Sequence, residues 1–133
     1  MTATAQMLET HPLDITLDKA KLQACIDACL ECAQTCTSCA DACLSEDMVA
    51  DLRACISTNL DCADVCDTTA KVLSRQTAWN ADIARSVLQA CATACKACGD
   101  ECSSHASMHE HCMVCAESCR RCEQACNDLL ESL

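Results

Sequence analysis

Cysteine and apolar positions along this chain recur at alternating steps of three and four. The first long run reads Cys25-x3-Cys29-x2-Cys32-x3-Cys36-x2-Cys39-x3-Cys43, extended backward by Leu22 and Ile15. Such steps trace the seam of an α-helix that faces partner helices. The pattern predicts a helix over 18–44, capped by Thr16 or Asp18. A second seam, Met48, Leu52, Cys55, Asn59, Cys62, Cys66, Thr69 and Leu73, predicts a helix over 46–74. Ser45 reads as its N-cap, with Glu46 and Asp47 at the positive end of its dipole. A third seam opens on Trp79, Ile83, Val87 and Leu88, changes to Cys91, Cys95, Cys98 and Cys102, and continues in step to His105 and His109. It predicts a helix over 78–104 behind Thr77 or Asn80. Ser107-x-x-Glu110 reads as a capping box. It opens a fourth helix over 108–132, with Met108, Cys112, Cys115, Cys119, Cys122, Cys126, Leu129 and Leu133 on one stripe.

Short connections between four such helices imply an all-α, antiparallel up-down-up-down four-helix bundle with a cysteine-lined core over residues 18–133. Residues 1–17 form a lead-in, with room for a short helix over Thr4–Thr10 that breaks at His11-Pro12. His11 reads as a surface residue. The antiparallel order also predicts polarity. One end collects Ile15, Leu22, Leu73, Ile83, Val87, Leu88, Leu129 and Leu133, a hydrocarbon plug. The opposite end collects Met48, His105, Met108 and His109, with His111 and Met113 nearby but off the stripe.

Composition sharpens this picture. With 133 residues, no Phe or Tyr, one Trp and 18 Cys, the chain is one domain whose core is sulfur rather than aromatic. A secreted disulfide framework is disfavoured, because thiols three or four apart on one helix point side by side. The N-terminus also shows neither a basic n-region nor an apolar h-region, and no run is long enough to span a membrane. A cytoplasmic setting that keeps the thiols reduced is expected. The net charge of −11 disfavours nucleic acid, since no basic patch meets phosphates.

So many thiols in register are too small to fill a core by themselves, and metal is the natural occupant. Zinc prefers discrete tetrahedral four-ligand sites, and iron–sulfur clusters need local four-cysteine loops. A continuous line suits Cu(I), which accepts two or three thiolates and tolerates sulfur bridging adjacent ions. The expected ligands are the 18 cysteines, with Met48, His105, Met108 and His109 passing ions inward at the open end. A zinc or cadmium thiolate reservoir of metallothionein type is the alternative. An enzyme is not expected. The inward Glu and Glu-x-x-His motif of di-metal bundles is absent, and no isolated thioredoxin-like Cys-x-x-Cys stands at a helix N-terminus.

The runs Cys25–Cys43, Cys91–Cys102 and Cys112–Cys126 resemble those of the bacterial copper storage proteins, over roughly residues 18 to 133. In lacking a visible export signal, the chain is similar to the cytosolic branch. The resemblance implies a homotetramer of bundles, each storing multiple Cu(I) ions on its own core cysteines. It also implies intake at a His- or Met-bearing end. A copper chaperone or chelator is expected as the partner for loading and release. The preference for copper over other soft metals rests on that resemblance.

Overall fold

The computed structural model of the protein describes residues 2–133. Residue 1 of the lead-in therefore lies outside the described residues. A short α1 (Ala3–Glu9) precedes four long helices, α2 (Lys19–Leu44), α3 (Arg53–Ser74), α4 (Ala81–His105) and α5 (Glu110–Ser132). No strand occurs among the described residues. In the bundle α2 neighbours α3 and α5, and α4 neighbours α3 and α5, while α1 lies against α2. Cross-bundle pairs run in opposite senses. Cys25 meets Cys126 and Cys39 meets Cys112, so α2 and α5 are antiparallel.

Capping chemistry sets most boundaries. The Asp18 carboxylate accepts from the Lys21 N–H at 3.1 Å and starts α2. The Asn80 side chain accepts from the Asp82 and Ile83 N–H groups and starts α4. That start falls three residues after the predicted one, because Ala78 takes a left-handed conformation with φ 56°. Thr2 caps α1, whose Ala5 and Leu8 are buried. The His11 Nδ1 accepts from the Leu13 N–H at 3.0 Å, which closes the turn that ends the lead-in helix.

Two predicted starts are corrected. The second bundle helix does not begin at residue 46. Ser45 closes α2 instead, its N–H reaching the Ala42 and Cys43 carbonyls. The chain then crosses the bundle end and passes through a 3₁₀ turn, Val49–Leu52, that seats Leu52 fully in the core before α3 begins. The Ser107–Glu110 box does not form either. Both Met108 and His109 N–H groups bond back to the His105 carbonyl, so His109 rather than Ser107 occupies the N-cap position of α5.

The hydrocarbon plug forms at the predicted end, from fully buried Leu22, Leu73, Leu88 and Leu129 with Ile15 beside them. Ile83 is the exception. It is 53% exposed, and Ala84 takes the inward place on the first turn of α4. Val87 and Leu133 are only half-buried. Each buried leucine contributes about 1.5–3 kcal/mol, more than a small thiol at the same depth can. Gly99 has a local explanation. The Arg120 guanidinium crosses it to reach the Asp100 carboxylate at 2.7 Å, and a Cβ at 99 would lie 2.9 Å from Arg120 Nη1.

Ala78 marks a stored cost, since the left-handed region disfavours any residue with a Cβ by about 1–2 kcal/mol. Ala78→Gly is expected to raise the stability of the reduced, metal-free protein by about 1 kcal/mol. Chemical denaturation under anaerobic conditions measures this, with a higher midpoint and unchanged slope.

Candidate metal centre

All 18 cysteines are buried and free, and they meet along the bundle axis. Their sulfurs lie 3.6–4.0 Å from one another, far beyond the roughly 2.05 Å of a disulfide. Starting above the plug, Cys25 faces Cys126 at 3.8 Å. Cys29 then meets Cys91 and Cys122, and Cys66 meets Cys91, Cys95 and Cys122. Midway, Cys32 and Cys36 gather Cys62, Cys98, Cys115 and Cys119. Further on, Cys98 leads to Cys102 and Cys102 to Cys55. Cys39, Cys43 and Cys112 complete the line.

Contacts cross the diagonals as well as the neighbouring faces. Cys29 reaches Cys91 on α4 at 3.8 Å, and Cys66 reaches Cys122 on α5 at 4.0 Å. Only a short side chain permits this: larger residues on four seams would hold opposite helices apart. Four-sulfur groups can be picked out, with ligand atoms within 4.8 Å of one another, but they overlap. Cys122 belongs to two of them, as do Cys32, Cys36 and Cys119. The thiols therefore form one connected track rather than separate tetrahedral sites.

Asn59 interrupts the sulfur in α3 and is itself fully buried. Its Oδ1 accepts from Cys98 and Cys115, each at 3.0 Å, and its Nδ2 donates to Cys55 Sγ at 3.4 Å. A buried amide needs such partners, and here thiols from three helices supply them. From sequence, Asn59 could equally have lain at the bundle edge. The structure makes it a hub within the track.

At the other end of the line the predicted residues separate. His109 is buried, with its Nδ1 2.9 Å from Glu46 Oε2. His105 is half-buried, and its Nε2 lies 3.1 Å from Glu101 Oε1 one turn back on the same helix. Met48 and Met113 are on the rim, and Met108 is 61% exposed. The imidazole that reaches the thiols is His111, read from sequence as off the stripe. Its Nδ1 lies 3.4 Å from Cys39 Sγ and 3.6 Å from Cys112 Sγ. With Cys39, Cys43 and Cys112 it forms a mixed group able to hold a soft ion. The seam rule hid it because it describes helix interiors. His111 sits in the first turn of α5, where the ring can turn inward over the end of the bundle.

Burial raises two of the thiols at this end, Cys43 and Cys112. It pushes Cys43 up from the ordinary 9.0 to about 11, with the Cys39 charge adding to it. Burial also raises Cys112, again with Cys39 contributing. These thiols are therefore held neutral at physiological pH in the absence of metal, and binding an ion displaces their protons.

A four-helix bundle whose core is a continuous line of buried thiols, closed by leucine at one end, belongs to the class of soft-metal storage proteins. Residues 18–131 match the family described as copper storage protein. The chain belongs to that family. It is 60% identical to the copper storage protein Ccsp from Streptomyces lividans, whose structure was determined loaded with 10 copper equivalents. That likeness covers 98% of this chain and 99% of the other, with a TM-score of 0.96. It is 34% identical to Cu(I)-bound copper storage protein BsCsp3, over 83% of this chain and 98% of the other, with a TM-score of 0.73. The uncharacterized cysteine-rich protein YhjQ of Bacillus subtilis is 35% identical over 107 residues, which are 80% of this chain and 94% of that protein.

The raised thiols set a pH dependence with a definite sign. Above pH 9.0 an unfolded chain loses thiol protons that folded Cys43 still holds, so stability falls as pH rises from there through about 11. The metal-free protein is expected to show a falling thermal midpoint across that window. Replacing Cys43 with Ser should reduce the slope of that fall, which calorimetry at successive pH values reads directly.

Proposed function

We propose that this protein stores Cu(I), holding multiple ions on the 18 core thiolates and admitting them at the end that carries Glu46 and the histidines. The overlapping sulfur groups are the observation that carries this reading. A bridging thiolate serves two ions, so a connected track accepts on the order of one Cu(I) per cysteine. Discrete zinc-type sites would use four ligands for each ion, about four ions in all. Nothing in the geometry favours the zinc or cadmium reservoir. The related proteins that carry copper support the choice of ion.

Polarity supports the direction of loading. One end is closed by packed leucine, while the other carries thioether and imidazole donors. Such donors hold Cu(I) less tightly than bridging thiolates do, so an ion passes inward without being trapped at the rim. We assign all 18 cysteines as storage ligands and His109 as an intake ligand, and we add His111 to that set. Met48, His105 and Met108 act as rim donors, consistent with their partial exposure. Asn59 sits where its carbonyl oxygen can face ions held by Cys98 and Cys115.

The protein acts as a store and buffer rather than as an enzyme, because its buried sulfur is committed to a single track. A cytosolic location follows the related Streptomyces lividans protein described as cytosolic. That compartment keeps thiols reduced. A homotetramer and exchange with a copper chaperone or chelator complete the reading.

Anaerobic titration of the reduced protein with Cu(I), monitored against a competing chelator, tests it. Uptake should continue well past about four equivalents. Saturation at or below that value overturns the storage reading. His105→Ala combined with His109→Ala should slow loading severalfold and leave capacity nearly unchanged. Loss of half the capacity would instead make those residues storage ligands.

A further inference from the structure

Glu46 lies in the turn between α2 and α3, and it faces His109 at the N-cap of α5 and His111 in the first turn of that helix. Its Oε2 is 2.9 Å from His109 Nδ1, and its Oε1 is 3.6 Å from His111 Nε2. The two rings stack with centroids 5.5 Å apart and planes inclined by 22°. His109 Nε2 and His111 Nε2 are both buried without a hydrogen-bond partner. Residue 46 was expected inside a helix. Its place in a turn is what allows it to reach across the bundle end.

A neutral imidazole carries one N–H and one lone pair, and the partner of one nitrogen decides which is which. An ionised carboxylate only accepts. Beside Glu46, His109 therefore keeps its proton on Nδ1 and leaves the Nε2 lone pair free. His111 Nε2 is the ring nitrogen nearer the carboxylate, 3.6 Å from Glu46 Oε1, and the negative charge there favours the proton on that nitrogen. That leaves the Nδ1 lone pair free beside Cys39 and Cys112. The two rings thus offer opposite nitrogens, one buried at the end of the bundle and one among the first thiols.

We propose that Glu46 is the positioning residue for copper intake, orienting His109 and His111 so that His109 Nε2 and His111 Nδ1 present lone pairs in sequence to an incoming Cu(I). Carboxylate–histidine–metal arrangements of this kind fix the tautomer and raise ligand basicity. The negative charge also favours a monovalent cation passing a partly buried end. This inference rests on the reading of that end as the site of intake.

The test pairs a spectroscopic readout of the metal-free protein with loading kinetics. Long-range proton–nitrogen correlation of ¹⁵N-histidine at about pH 8, above the ordinary imidazole range, reports the tautomers. Wild-type protein should show His109 with its proton on Nδ1 and His111 with its proton on Nε2. Glu46→Ala should return His109 to the Nε2–H form, and the first Cu(I) equivalents should bind about ten-fold more slowly at unchanged capacity. Glu46→Asp should restore part of both effects, which a merely structural role would not do. A wild-type His109 with its proton on Nε2 overturns the inference, as does a Glu46→Ala protein that loads at the wild-type rate. His111→Ala separates the two claims. If it loads at the wild-type rate, intake at this end is wrong, and the tautomers alone still decide what Glu46 does.

Discussion

Everything in this bundle follows from placing sulfur on all four helix seams at once. A thiol is short, so the helices close until sulfurs touch across the diagonals as well as between neighbours, as Cys29 with Cys91 and Cys66 with Cys122 show. The same shortness leaves the middle of the core with little hydrocarbon to hold it. Stability without metal therefore leans on Leu22, Leu73, Leu88 and Leu129 at one end and on Leu52 near the other. On the proposed reading, an ion bound along the axis supplies the missing cohesion, because it would link thiolates from different helices. Storage and stability are then aspects of one interaction.

The two ends divide the remaining labour. The leucine end is closed by packed hydrocarbon, and α1 covers part of the neighbouring α2 surface with Ala5 and Leu8. The opposite end is built from two turns that do not cap themselves with short side chains. No side-chain cap bond opens α3 or α5. What joins these turns is Glu46 with His109 and His111. Groups that would ordinarily satisfy helix ends are replaced there by groups able to handle a cation. Asn59 adds a single oxygen acceptor inside the sulfur, held by thiols of α4 and α5.

Much of this was legible in the residues. The four seams, their antiparallel order, the buried cysteines and the leucine plug follow from steps of three and four, because helix interiors obey that period strictly. The turns do not. Ser45 looked like an N-cap and instead closes α2, and Ser107 looked like half of a capping box that His109 displaces. Both errors arise where the backbone must cross between helices, and local capping preference yields there to the position of the next buried residue. His111 was missed for the same reason. Its inward reach depends on its place in the first turn of α5, where the ring turns over the end of the bundle to meet Cys39. Ile83 failed differently. Ala84, one turn before Leu88 on the buried stripe of α4, takes the inward place, and Ile83 falls beside it.

The central claim is that the core is one continuous copper track. A crystal structure of the anaerobically loaded protein, with copper located by its anomalous scattering, tests it most directly. A file of copper atoms is predicted along the bundle axis, from the Cys25–Cys126 pair to the group around His111. Each ion would be held by two or three sulfurs, and individual thiolates would be shared between neighbouring ions. Copper confined to separate four-sulfur sites, or bound only at the rim with the inner thiols empty, would contradict it.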